Sequence, residues 1–406
     1  MLNNSHRSGT HKRRNILIGI LLTILLICVL SSVATVSAEP AEGGTSQSDY
    51  ADDIIGSLDF DGLDGLIDGF DDGSYDIFGG SDFASVLKRI VNGDFSFDYS
   101  NLITFIFSAI GTGVSDLLVL LVTIISIAIV YSILGALKGK SSAESISKIV
   151  HFASVAAVIA VVGASTVSMF KMCADTLGAM TAQINVILPI ILTLMAAVGA
   201  TSTATVFQPA VAVLSGGLFN LISVLLLPML IVSFVFGVIG NISSEVKLSK
   251  TSDFFNSSVK WLFGTGFFIL SAFMSVQGIT ASVFDGVAMR GMKFTIGKFV
   301  PVIGGYLSDG FNLVVSGGIL VKNALGYTAL LLLAVTIIPV VIKIGIYSLC
   351  LKLAAAAVEP LGDKLMSDML TGISKTAGLT GALMAGAAFL YFVFLLIVLS
   401  SGNIFI

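Results

Sequence analysis

The chain has 406 residues, of which 55% are hydrophobic and 11% charged, with a formal net charge of −4 and a mean hydropathy of +1.00. Soluble domains carry about 25% charged residues, so the polar surface that water demands is missing and the chain reads as a multi-spanning integral membrane protein. Its 42 glycines against 7 prolines suit close helix packing in lipid, and its acidic, apolar balance points to the lipid bilayer as partner and to no nucleic acid.

Residues 1–38 read as a signal peptide. Arg7, Lys12, Arg13 and Arg14 form the basic start, an apolar run extends from Ile16 to Val33, and Val36-Ser37-Ala38 is a small-residue cleavage site before Glu39. The rather long apolar run also fits an uncleaved anchor helix. A lipoprotein reading at Cys28 fails because Ile27 is not small. Cleavage removes four positive charges and no negative ones, taking the formal charge from −4 to −8.

Residues 39–100 are an acidic translocated leader, expected to be partly disordered. Asp52, Asp53, Asp59, Asp61, Asp64, Asp68, Asp71, Asp72 and Asp76 dominate it. The Asp-Gly pairs at 61–62, 64–65, 68–69 and 72–73 suggest calcium, but Leu63 stands where a ligand belongs in the calcium-loop pattern. A solvated, partly disordered acidic segment with short amphipathic pieces is the better expectation, with Ile54, Leu58, Leu66 and Phe70 at helical spacing.

Residues 101–406 form a multi-spanning membrane domain. A span needs about 20 apolar residues. The expected spans are Leu117–Leu137, Ile146–Phe170, Ile184–Val206, Val211–Gly240, Trp261–Phe284, Tyr327–Leu349 and Gly378–Ser400. An amphipathic approach from Asn101 to Gly113 precedes the first. Two stretches, Phe299–Leu325 and Leu351–Leu370, are only half hydrophobic. The fold class is therefore all-α, a polytopic transmembrane helix bundle of about seven spans, with re-entrant or broken helices and an internal inverted repeat as open features. Lys138, Lys140 and Lys148 put the first hairpin in the cytoplasm. Beyond it, strict alternation places Lys247, Lys250 and Lys260 outside and Arg290, Lys293 and Lys298 inside. A re-entrant third and fourth segment reverses both.

Catalytic chemistry finds little footing. His151 is the one histidine after the signal, and Cys173 and Cys350 are the cysteines, too few for a zinc cluster. No phosphate loop, nucleophile elbow or zinc-protease helix motif occurs. The expectation is no enzyme, no cofactor, no metal site and no catalytic residue.

The informative residues are polar ones in apolar or glycine-rich settings, because a charge near the bilayer centre costs about 2.5–3.5 kcal/mol on insertion scales and usually faces a cavity or partner. A candidate polar path comprises Lys322, Asn323, Lys343, Glu359, Asp363 and Lys364. Candidate helix breaks are Pro189, Pro301, Gly304, Gly305, Gly317, Gly318 and Pro360. Each polar residue could equally sit at an interface or in an interhelical hydrogen bond. Leu188-Pro189 leading to Leu214-Ser215-Gly216-Gly217 echoes Val300-Pro301 leading to Val315-Ser316-Gly317-Gly318, and inverted repeats with broken helices mark transporter cores.

The stretch Ser316-Gly-Gly-Ile-Leu-Val-Lys-Asn-Ala-Leu-Gly326, then Val358-Glu-Pro-Leu-Gly-Asp-Lys364 with Ser367-Asp368, and also Phe299-Val-Pro-Val-Ile-Gly-Gly-Tyr-Leu-Ser-Asp309, resemble the stage III sporulation protein AE family of endospore-forming bacteria. The resemblance implies a membrane-embedded component of the trans-envelope channel or secretion complex between mother cell and forespore, required for sporulation. It implies as partners the other stage III A-series proteins, including a cytosolic ATPase, and indirectly the forespore's stage II sporulation protein Q. A homo-oligomer and a place in the mother-cell membrane around the forespore fit the same picture. It transfers no catalytic residue. Three roles stay open: an element that forms or lines a transport path, a purely structural scaffold for the complex, and a stand-alone secondary transporter of a small molecule.

Overall fold

A computed structural model of the chain describes residues 46–57, 83–92, 99–136, 143–240, 248–299, 304–361 and 364–401. The signal region, the Asp-Gly pairs of the leader, Pro301 and Asp363 lie outside the described residues. Among those described, every regular element is helical. In chain order they are α1 (Ser46–Ser57), α2 (Phe83–Val91), α3 (Tyr99–Ala136), α4 (Ala143–Ala197), α5 (Thr201–Ala212), two π-helical stretches (Val213–Phe219 and Ile222–Leu226), α6 (Leu227–Ile239), α7 (Ser249–Phe299), α8 (Gly304–Val358), a 3₁₀ turn (Glu359–Leu361) and α9 (Lys364–Ser400).

Among the described residues, six helical stretches are long and apolar enough to cross a membrane: 100–133, 152–197, 201–239, 250–277, 315–361 and 364–400. The all-α membrane bundle stands, with six such stretches where about seven spans were expected. The difference lies in α4. Its 55 residues join the expected second span to the first half of the third, and one continuous helix cannot turn back on itself. Pro189 does not break it. The proline ring faces outward, so its missing N–H falls on the outer side of the helix, and transmembrane helices tolerate such a gap. Nor do Gly317 and Gly318 interrupt α8, which runs through them from Gly304 and Gly305 in its first turn. The real reversal is at Val198–Ala200, where Gly199 takes φ 92°, a backbone region open to glycine at little steric cost.

α3 likewise absorbs its amphipathic approach. The hydroxyls of Thr112, Ser115 and Thr123 donate to carbonyls one turn back (Ser108 at 3.0 Å, Thr112 at 2.9 Å and Val119 at 2.7 Å), so these polar residues are satisfied without leaving the helix. The π-helical stretches between α5 and α6 have a local cause. Gly216 and Gly217 are weak helix formers, and Pro228 opens α6 without an N–H to give back.

α8 is the axis of the molecule. The apolar window of α8 is 67% buried and that of α9 72%, against 22% for α3 and 17% for α7, so the first pair forms the core and the second faces lipid. Phe107 and Val119 of α3, and Trp261 and Phe268 of α7, accordingly point outward. α9 lies antiparallel on α8. Glycines allow the approach: a Cβ on Gly326 would overlap Leu399, and one on Gly381 would sit 3.1 Å from Ile344. A reciprocal clasp ties the pair, with Ser348 Oγ donating to the Ser374 carbonyl at 3.0 Å and Ser374 Oγ to that of Ser348 at 2.8 Å. The same clasp, Ser233 with Ser252, joins α6 to α7.

α4 also runs antiparallel to α8. Thr166 meets Tyr347, Gln183 Nε2 donates to Thr336 Oγ1 at 2.8 Å, and Gly318 abuts Val198. One register shift carries Ala143 onto Gly304, Ala197 onto Val358 and Ile239 onto Ser400, with Thr201 and Lys364 within two residues of it. A 55-residue helix followed by a 39-residue return is thus repeated as 55 followed by 37, and the two long helices cross antiparallel. Under that shift Ser215-Gly-Gly-Leu218 falls on Thr376-Ala-Gly-Leu379. The repeat therefore differs from the expected echo: Leu214–Gly217 belongs to a return helix, whereas Val315–Gly318 belongs to a long one.

Two pieces of the leader are packed helices. α1 and α2 contact α8 and each other, burying Ala51 and Ile55 from one and Val86, Leu87, Ile90 and Val91 from the other. The i, i+4 spacing puts each set on one face.

Candidate functional site

A cavity of about 420 Å³ opens where α3, α4 and α8 meet, lined by Gly113, Asp116 and Leu117 of α3, by Ala164, Ser165, Ser168, Met169 and Met172 of α4, and by Lys343 and Tyr347 of α8. Asp116 is near the middle of α3, which runs from 99 to 136. Lys343 is level with the middle of α9, because its neighbour Ile344 packs at Gly381 within a helix running from 364 to 400. Asp116 thus sits at the middle of its own apolar helix and Lys343 level with the middle of its neighbour α9, where an ionised group is costly unless it faces a cavity or a partner. Each turns toward the same cavity.

Local packing fixes the walls. Gly113 lets α3 lie against α8, since a Cβ there would come 3.0 Å from Ile346 Cδ1 and 3.6 Å from Lys343 Cγ. Below it, Cys350 Sγ donates to the Leu117 carbonyl at 3.3 Å. The Tyr347 hydroxyl lies 2.7 Å from Thr166 Oγ1 and 3.3 Å from the Val162 carbonyl, which holds the ring between α8 and α4. Ser165 spends its proton on the Val161 carbonyl at 3.2 Å, leaving an oxygen available as acceptor.

The sequence-predicted path residues do not converge. Lys322 and Lys343 lie along α8 and Glu359 opens the turn after it, about 32 Å and then about 24 Å apart at 1.5 Å per residue. Lys322 is enclosed at 1% exposure, its amino group donating to the carbonyls of Leu399 at 3.0 Å and Ser401 at 2.7 Å. It therefore caps the C-terminus of α9. Asn323 beside it is half-buried, with its Oδ1 buried and lacking a hydrogen-bond partner. Glu359, Pro360 and Lys364 are exposed around the turn between α8 and α9, where the chain does reverse. Of the five that are described, Lys343 lines the cavity. Asp116 falls one residue before the span that hydropathy marks from Leu117. The signal was present, since Asn101, Ser108, Thr112, Ser115 and Asp116 follow helical spacing and mark α3 as starting earlier.

The family model described as stage III sporulation protein AE matches residues 81–402. The chain belongs to this family. It is also 25% identical over 319 residues to the stage III sporulation protein AE of Bacillus subtilis (strain 168), covering 78% of this chain and 80% of that protein. No solved structure matches. The family's extent takes in α2 through α9, and so contains both long hairpins and every residue of the cavity. α1 and the Asp-rich part of the leader fall before it. Family membership gives the chain a role in sporulation, and its apolar helices make it a multi-pass membrane protein.

Proposed function

We propose that the chain is the membrane-embedded component of the trans-envelope channel or secretion complex between mother cell and forespore, and that it lines a transport path there without catalytic chemistry. It would reside in the mother-cell membrane and work with the other stage III A-series proteins, including the cytosolic ATPase, and indirectly with stage II sporulation protein Q. The supporting observation is the pair Asp116 and Lys343, two charges at mid-height that share one cavity. Charges within apolar helices usually face a cavity or a partner and mark substrate or ion pathways.

Asp116→Asn and Lys343→Met in a sporulating strain are expected to lower spore yield while protein level and pull-down of the partner proteins stay normal. Full spore yield from both variants refutes the path. The scaffold reading draws on Lys322, which ties helix to helix. It expects harmful changes to act through lost assembly, so partner pull-down from the same strains separates the two. The crossed hairpins favour a stand-alone secondary transporter, and uptake by the purified chain alone in liposomes tests that.

A further inference from the structure

We infer that the mid-height cavity binds a small zwitterion, with Asp116 taking its ammonium group and Lys343 its carboxylate or phosphate. The inference rests on the path reading and names the class of molecule that the path recognises.

Charge balance excludes simpler ligands. An inorganic cation would answer Asp116 and leave Lys343 unmatched in an apolar setting, and an anion would do the reverse. Each leaves one charge of the site without a counter-charge in an apolar setting, the less favourable outcome. A molecule bearing both charges satisfies both walls at once. Size agrees, since small-molecule sites span about 300–1,000 Å³ and this cavity holds about 420 Å³. The rest of the lining suits an amino-acid-like body: Ser165 and Ser168 offer oxygens on one side, while Leu117, Met169 and Met172 supply an apolar wall. Methionine adapts to shape, so an uncharged side chain of variable size would be accepted. Such a ligand bridges the two crossed hairpins, because Ser165 and Ser168 come from α4 and Lys343 from α8. Two sources carry this chemistry, a free amino acid and an aminophospholipid headgroup. The second has access because the cavity is open on one side and Asp116 and Val167 are exposed beside it.

The test uses the purified full chain, with calorimetric titration in detergent and thermal unfolding in nanodiscs. Alanine and leucine are the soluble probes. Alanine methyl ester (cation only) and N-acetylalanine (anion only) are the controls. Discs of phosphatidylglycerol with and without phosphatidylethanolamine form the lipid arm. The wild-type chain is expected to bind the zwitterions about tenfold or more tightly than either single-charge analogue, with a similar loss in Asp116→Asn and Lys343→Met. A stabilisation by phosphatidylethanolamine that both variants lose assigns the lipid source instead. Equal binding of the single-charge analogues overturns the inference, as does a folded wild-type chain that binds no probe in either arm. The analogue comparison needs no variant, so misfolding of a mutant cannot mask the answer. If binding fails while the same substitutions abolish spores with the complex intact, the ligand class falls and the path stands. If binding holds while spores form normally, the ligand stands and the path falls.

Discussion

Replacing Lys322 by methionine tests whether the C-terminus of α9 is held by a latch. Methionine keeps the stem's length and apolar contacts, so the change takes away the charge and the hydrogen bonds to the Leu399 and Ser401 carbonyls. The Leu399 and Ser401 carbonyls belong to the last turn, whose acceptors have no intrahelical partners. A hydrogen bond from a charged donor contributes about 1.5–3 kcal/mol, and a buried acceptor left bare costs about 1–3 kcal/mol. Relief from burying the ammonium offsets part of this. The net expectation is a local loss of about 2–4 kcal/mol in holding Leu399–Ser401. Because 1.4 kcal/mol is a factor of ten, amide exchange at these residues should speed up by roughly 30-fold or more. Hydrogen-exchange mass spectrometry on the purified chain reads this directly, and amides in the middle of α4 serve as the unchanged reference. Lys322→Gln, which keeps a donor, should fall between the two. Exchange within threefold of wild type in Lys322→Met would refute the latch.

Other perturbations probe the core around α8. Gly386→Ala would place a Cβ 2.7 Å from the Phe263 ring and should lower stability by about 1–3 kcal/mol, the usual cost of overpacking, seen as a drop in thermal midpoint. Ser348→Ala and Ser374→Ala should each cost about 1 kcal/mol. A double-mutant cycle should show coupling of about 0.5 kcal/mol or more if the clasp is real, whereas additive losses would deny it. Gly199→Ala puts a side chain at φ 92° and should destabilise by about 1–2 kcal/mol. An Asn there, which tolerates this region better, should recover part of the loss.

Much of the bundle was legible because membrane helices announce themselves by composition. A run of apolar residues has few options in lipid, where backbone groups must be satisfied within the segment. Boundaries were harder. Pro189 and the Gly317-Gly318 pair look like breaks by their chemistry, yet α4 and α8 pass through them, since packing neighbours and an outward-facing proline make the defect tolerable. Asp116 was legible in type and spacing, but a span drawn from Leu117 left it at the edge instead of the centre. Lys322 and Lys343 read alike as charges in apolar context, and their surroundings separate them. One meets the carbonyl end of another helix, and the other meets a cavity.

The amino-acid sequence by itself determined the solvent and the class of element. With 55% hydrophobic and 11% charged residues, the chain had to be helical and lipid-embedded, and its motifs carried the family. Only the tertiary structure decided which helices reverse, that two long hairpins cross antiparallel, and that Asp116 and Lys343 share a space. The reason is physical. Hydropathy is a local property that accumulates along the chain, whereas the meeting of Asp116 with Lys343 depends on how α3, α4 and α8 pack across more than two hundred residues of intervening chain.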